Sequence, residues 1–491
     1  MSEQFDSHYD VVVIGGGASG LSCAVQAAKD GLTCALLEKE EHTGGSSAFA
    51  EGHAAFESDE QAKRGITVTK TQAFDTYLDY SHWRADASIV SRFVENAATT
   101  IVKMRDEEGA VYEDVTVTAV DQPGELVTWH LPEGEVARLI ELLEADARHR
   151  GVDVFLGTSA TSLLQDASGR VVGVTARDAD GADVRLGARA VVVATGGYAG
   201  NPELIDRYTR YDALGGKLIN VGGPGNTGDG LRMVLEAGGT EHRSIGTLLL
   251  FPFMRDKTIT SHTNAAGFQP YLWVDAGGRR FTDEAVALSF GNAGDVVAGL
   301  PGAMFWSVLD SGTVRHLVED GNEVGLGIYV RNGEKLVGLP DEIAADAADP
   351  ARTNVVGADT VEDLAAAMGV DPAVLRAEVD AYNAACEDGV DSRFHKPATF
   401  LRPVVTPPFY AVKMETGIMV TMGAIRIDDR MRCLDADGRP IPGLYSVGCD
   451  AGGLFGESYS LPIPGSANGF ALTSGWLTAD DIAERIGAGS L

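Results

Sequence analysis

"YDVVVIGGGASGLSCAVQAAKDGLTCALLEKE", residues 9–40, decides the fold. Val11 to Ile14 is a short β-branched run suited to a buried parallel strand. Gly15, Gly17 and Gly20 follow in G-x-G-x-x-G spacing and lead into the helix-like "LSCAVQAAKDG". A second apolar run, "TCALLE", ends in Glu38. Strand, glycine turn, helix and strand with a terminal acid make the dinucleotide-binding fingerprint in its required context. Gly15 permits the tight turn, Gly17 lets backbone approach a pyrophosphate, and Gly20 lets helix pack on strand. Glu38 can accept hydrogen bonds from a ribose. Ala18 and Ser19 open the helix, whose N-terminal N–H groups and partial positive charge suit phosphates.

Working outward, the 491-residue chain exceeds one ordinary core, and two or three packed units are expected. Its 71 acidic and 39 basic side chains give a formal charge of −32. Such a field repels phosphate backbones and anionic lipid, which argues against nucleic acid and membrane partners. No run of about 18 apolar residues suggests a membrane span. The start "MSEQFDSHYD" is polar and acidic, and a cytoplasmic location is expected. The five cysteines form no C-x-x-C pair, and no metal centre is expected.

The dinucleotide is read as FAD rather than NAD. After Glu38, "KEEHTGGSSAFAEGHAAF" is a small-residue loop rather than an immediate third strand–helix repeat. "ARAVVVATGGYAGN" later places an apolar strand before Thr195, Gly196 and Gly197, and "GRPIPGLYSVGCDAGG" repeats the arrangement around Asp450. One ligand touched by all these segments must be long.

Taken together, these segments resemble the flavoprotein family of fumarate reductase, succinate dehydrogenase and 3-ketosteroid dehydrogenase. "GGGASG", "LLEK", "TGGSS", "VVVATGG", "NTGDGLRMVLEAGG", "VDAGGRRFTDE", "TMGAIRID" and "PIPGLYSVG" occur in that family's order. The resemblance implies an α/β fold class: a Rossmann-like FAD-binding domain formed by both chain ends, residues 1–240 and 401–491, with an inserted α+β capping domain at 241–400. It also implies FAD contacts from Lys39, Gly44, Gly45, Ser46, Ser47 and Gly52, and from Asn201, Thr227 and Asp229. The histidine that carries covalent flavin in succinate dehydrogenases aligns near Ser46, so noncovalent FAD is expected.

The substrate in this family lies between flavin and cap, and dicarboxylate-reducing members hold it with arginine and histidine. Here the matching positions read Met419 and Val420, Tyr459, and Leu288. Burying two carboxylates without cationic partners costs several kcal/mol, so a dicarboxylate is a poor substrate expectation. Tyr459 stands in "LFGESYSLPIPGSANG", residues 454–469, a turn stiffened by Pro462 and Pro464. In 3-ketosteroid dehydrogenases a tyrosine in a similar turn helps polarise the substrate carbonyl; Tyr459 either faces substrate in that way or packs the turn. Ser466, Ala467 and Asn468 begin the following helix, whose N-terminal amides are expected to face the flavin's pyrimidine end. His53 either donates to substrate or flavin, or hydrogen-bonds its own loop. Arg279 and Arg280 are expected in a cap salt bridge with Asp283 or Glu284. Tyr271, Trp273, Phe251 and Phe253 read as an aromatic cap wall or as ordinary core.

The expected chemistry is hydride transfer between flavin N5 and a carbon centre of a hydrophobic, ring-bearing molecule, with Tyr459 or His53 handling the proton. A 3-ketosteroid dehydrogenase or reductase, a fumarate-reductase-type enoate reductase and a flavin electron-carrier subunit are the alternatives. No haem or cluster motif is present, so electrons come from an external partner, with NAD(P)H one candidate. Nothing in the residues specifies the oligomeric state.

Overall fold

The structure is a computed structural model that describes residues 5–118 and 124–491; the first four residues of the polar start lie outside it. The quoted stretch folds as read: strand Ser7–Ile14, helix Ala18–Lys29, strand Cys34–Leu37. The two strands pair in parallel with Val11 opposite Cys34 and Ile14 opposite Leu37. Val11, Val12, Val13 and Leu36 are completely buried, as strands covered on both faces must be.

These strands lie in an eight-stranded sheet drawn from both ends of the chain. Strand Asp183–Val193 runs parallel to Ser7–Ile14 on one side and to Pro440–Ser446 on the other. Asp153–Phe155 extends the parallel set beyond Cys34–Leu37. The antiparallel strands Ser159–Gln165 and Val171–Arg177 branch from Asp183–Val193, and Arg432–Leu434 closes the opposite edge. The C-terminal helix Ser466–Gly487 packs on the first helix, where Ser22 Oγ donates to the Leu472 carbonyl at 2.8 Å. A Cβ on Gly475 would stand 2.3 Å from the Ser19 carbonyl, so that contact requires glycine.

A second sheet of six strands is organised around the long strand Phe409–Met422. Its members include Leu218–Asn220 and Phe409–Met422, which fall on the outer sides of the expected borders at 240 and 400. The helices Leu339–Ala348, Val361–Met368 and Pro372–Asp388 fall within the stretch 241–400 expected to form a cap. A small third sheet joins His53–Ala54, Trp129–Pro132 and Tyr112–Thr116. Among the described residues, no helix is long and apolar enough to cross a membrane.

Candidate active site

Four parallel strands end at one edge, at Ile14, Leu37, Val193 and Ser446, and the loops that follow converge there. Open α/β sheets bind ligands in this crevice, beyond the carboxyl ends of the strands. Gly15 has a φ of 111°, and a Cβ on it would meet the Ala194 carbonyl at 2.2 Å. A Cβ on Gly20 would lie 1.9 Å from the Gly15 carbonyl. Gly17 differs: its nearest neighbour is the Gly44 carbonyl at 3.7 Å. The Ala18 helix has no side-chain cap and no acid in its first turn, although Ala18 N–H makes a long 3.4 Å bond to Ser47 Oγ. Glu38 is held by N–H groups of Gly16 at 2.7 Å and Glu40 at 2.9 Å. Gly44 N–H donates to the Gly16 carbonyl, and Gly44 and Gly45 both take positive φ.

Several expected cofactor contacts bond to one another. Lys39 Nζ donates to Thr227 Oγ1 at 2.7 Å and to Asp229 at 2.8 Å. Asn201 caps the helix Pro202–Tyr208 and donates to the Thr227 carbonyl. Asp450 is fully buried and accepts from Thr195 N–H and hydroxyl, Gly196 N–H and Gly197 N–H. Burial raises its carboxyl pKa against the pull of those bonds. Asp450 is thereby a clamp on the 195–197 turn. Sequence reading missed the loop "VGGPGN", residues 221–226, which lies over Ser46: Gly223 N–H and Asn226 Nδ2 both donate to Ser46 Oγ at 2.8 Å. Its glycine pair was the available signal.

The C-terminal helix begins at Gly465, with φ 81°, no side-chain cap and no acid in the first turn. Ala467 N–H donates to Tyr459 Oη at 3.4 Å, so the phenol lies at the helix N-terminus. Tyr459 is 8% exposed and stacks on Phe455 with centroids 5.0 Å apart. Burial pushes its phenol up to about 12, leaving a neutral donor at ordinary pH. Ser466 Oγ donates to the Ile463 carbonyl and lies 2.5 Å from Tyr77 Oη, a residue sequence reading did not single out. Both prolines of the turn serve as acceptors: Leu126 N–H donates to the Pro462 carbonyl and Thr128 Oγ1 to that of Pro464. Asn468 is buried with neither amide atom paired.

Against this helix start runs His53–Ala54, with Ala54 N–H donating to the Gly465 carbonyl at 2.9 Å. Gly52 is required by the approach of the His130 carbonyl, 2.4 Å from where its Cβ would be. His53 is completely buried. Its Nε2 lies 2.7 Å from Tyr112 Oη and its Nδ1 has no partner. Burial, and then His130, hold its pKa down to about 3, so the imidazole is neutral and unsuited to carrying a proton as imidazolium. Val420, Tyr459 and Leu461 are buried in the larger hydrophobic core with Met419 packed against that core, and Gly291, three residues after Leu288, abuts Leu461. Tyr271 and Trp273 are cap core, with Trp273 4.2 Å from the Phe305 ring. Phe251 and Phe253 sit edge to face on the strand Thr247–Phe253. Arg280 pairs with Glu284, while Asp283 caps the turn after it and Arg279 is exposed.

The donor set fits FAD. Two uncapped helix starts, an open flank at Gly17 and a poised Glu38 suit pyrophosphate and ribose. Among the described residues, no group of three or more His, Cys, Asp or Glu side chains could hold a metal ion.

Comparisons with known proteins agree. The family described as "FAD binding domain" matches residues 10–462. A vinyl phenol reductase of Lactiplantibacillus plantarum is 36% identical over 477 residues, covering 95% of this chain and 94% of that protein. An NADH:fumarate oxidoreductase of Klebsiella pneumoniae is 28% identical, and the match covers 97% of this chain but 48% of that protein. Among solved structures, an open flavocytochrome c3 fumarate reductase superposes with a TM-score of 0.77 at 23% identity, covering 98% of this chain and 79% of that one. A 3-ketosteroid-Δ4-(5α)-dehydrogenase from Rhodococcus jostii RHA1 gives 0.75 at 20% identity, covering 98% of each chain.

Proposed function

The chain belongs to the FAD binding domain family and is an FAD-dependent oxidoreductase, and from that premise we propose that it reduces a carbon–carbon double bond, or a comparable carbon centre, in an uncharged ring-bearing substrate. The observation that carries this reading is the neutral, apolar setting of Tyr459. It stacks on Phe455 and is buried in the same large hydrophobic core as Val420 and Leu461, at positions where the resemblance places cations in dicarboxylate enzymes. An uncompensated carboxylate would cost several kcal/mol there, whereas a phenol or carbonyl on an aromatic or alicyclic ring matches a neutral phenol donor. The similarity to a vinyl phenol reductase supports the same class.

Bound FAD, read as noncovalent because Ser46 stands at the attachment position, supplies two-electron hydride chemistry. The helix start at Gly465, whose own N-cap offers no side chain and whose Ala467 N–H meets Tyr459 Oη, would lend its partial positive charge to negative charge on the bound ring. Tyr459 donates the proton or the polarising hydrogen bond, and the cap, read as residues 241–400, excludes water over it. NAD(P)H or a reduced carrier in the cytoplasm is the external electron source in this reading.

Anaerobic reoxidation of photoreduced enzyme tests it, with a 4-vinylphenol, a 3-keto-4-ene steroid, tetrahydrodaidzein and fumarate compared. The sequence resemblance extends to tetrahydrodaidzein reductases, which form equol, so that compound is the first alicyclic choice. Fast reoxidation by ring substrates alone is the expected result. Fast reoxidation by fumarate overturns the proposal, and silence toward all four favours an electron-carrier subunit.

A further inference from the structure

Residues 324–330, inside the expected cap, close a tight turn. Leu326 N–H donates to the Val330 carbonyl at 2.7 Å, and the two residues form an antiparallel bridge. Val324 and Val330 are buried in the second hydrophobic core, which fixes the base of the turn. Its tip, Gly327 to Tyr329, reaches two carboxylates far away in the chain. Ile328 N–H donates to Glu51 Oε2 at 2.8 Å, and Tyr329 Oη donates to Glu135 Oε2 at 2.6 Å. Gly327 takes φ 62°, and a Cβ there would lie 2.1 Å from Glu51 Oε1, so the approach requires glycine.

The two carboxylates form one landing site. Glu51 follows Ala50, whose carbonyl accepts from Val136 N–H at 3.1 Å, beside Glu135. Glu135 holds φ 63°, a strained conformation for a residue with a side chain. Glu51 is faced by Gly327 and the Ile328 N–H of the turn, and by the Glu135 carboxylate of the helix Glu135–His149, to which Tyr329 is bonded. Neither carboxylate forms an ion pair among the described residues. Burial keeps the proton on Tyr329, which stays a donor. Burial, and then the charge of Glu135, raise the Glu51 carboxyl from 4.5 to about 7. A neutral Glu51 fits this contact, whereas an ionised one stands against a like charge and is drawn toward water.

We propose that the turn 326–330 is a pH-sensitive latch, docked while Glu51 is neutral and released when Glu51 ionises beside Glu135. By linkage, docking is strongest below the ordinary carboxylate range and weakens as pH rises through about 7. Neither a bound flavin nor a particular substrate is needed for this behaviour.

Amide hydrogen exchange of the holoenzyme, read on peptides spanning 324–332 and corrected for the intrinsic pH dependence of exchange, measures the opening. Wild type is expected to lose about tenfold in protection between about pH 6 and pH 8.5, as a shift from 4.5 to about 7 implies. The strand Ser7–Ile14 is the reference and is expected to keep its protection over that range. Glu51→Gln cannot ionise and is expected to stay protected at both pH values. Tyr329→Phe loses the bond to Glu135 and is expected to exchange faster at both, with the wild-type pH dependence retained. Equal protection of wild-type 324–332 at both pH values overturns the proposal, and that measurement needs no variant to fold. So does a Glu51→Gln protein that loses protection with pH as wild type does, or a wild-type loss shared by Ser7–Ile14. Failure of every ring substrate to reoxidise the flavin would sink the proposed reaction but leave these outcomes unchanged.

Discussion

Two buried polar clusters in this molecule stand in opposite conditions. In the cap, Arg280 donates to both oxygens of Glu284 at 2.7 Å and to Asp391 at 2.8 Å. Lys396 Nζ adds bonds to the Tyr271 carbonyl and Tyr382 Oη. Each of those charges is answered within the protein. Beside the C-terminal helix start, His53 Nδ1 and both amide atoms of Asn468 are equally buried with no partner among the described residues. The difference separates a cluster in which every charge is met from one that leaves covered polar atoms unpaired, a cost that the surrounding packing must offset.

The contrast can be broken from either side. Glu284→Gln leaves Asp391 as the one carboxylate answering both Arg280 and the nearby Lys396, and a loss of about 3 kcal/mol is expected, read as a large fall in the melting temperature of the holoenzyme. Tyr459→Phe is expected to slow substrate reduction about 10²-fold or more with FAD content unchanged. Because burial keeps that phenol protonated to about pH 12, no loss of rate from Tyr459 ionisation is expected between pH 7 and 10. Asn468→Leu is expected to act in opposite directions on apo and loaded protein. It removes two unpaired groups, worth about 1–3 kcal/mol to the apoprotein, while weakening FAD binding; comparing apo melting with an FAD titration checks both signs.

The smallest effect concerns Glu51, which accepts from Ile328 N–H at 2.8 Å where the cap meets the small sheet. Burial, and then the charge of Glu135, push its carboxyl from an ordinary 4.5 up to about 7. Folding thus favours its neutral form. Its contribution is complete below about pH 4.5 and is lost as pH rises through 7. Glu51→Gln is expected to melt above wild type by a wider margin at pH 8 than at pH 5.

Residues 9–40 were legible because each element there is local. A β-branched run, glycines at turn positions and a helix of small residues need no distant partner to be recognised. The spacing of Gly15 and Gly20 assigns their tasks, and the apolar residues Met419, Val420 and Leu288 at the positions the resemblance matches argue against a dicarboxylate. Asp450 was legible as a member of the site but not as a clamp, since its four donors come from residues 195–197, some 250 positions away. The loop 221–226 and Tyr77 escaped notice for the same reason: their partners Ser46 and Ser466 are remote in sequence.

The chain by itself determined a dinucleotide-binding α/β fold and the long cofactor, because periodicity and glycine spacing are properties of neighbouring residues, and its family resemblance led to the expectation of no cations at the substrate positions. Only the tertiary structure decided which polar groups are satisfied. It turned Lys39, Thr227 and Asp229 inward on one another, set Tyr459 at a helix N-terminus and left His53 with one free nitrogen. Hydrogen-bond satisfaction is a property of pairs, and folding brings those pairs together across the whole length of the chain.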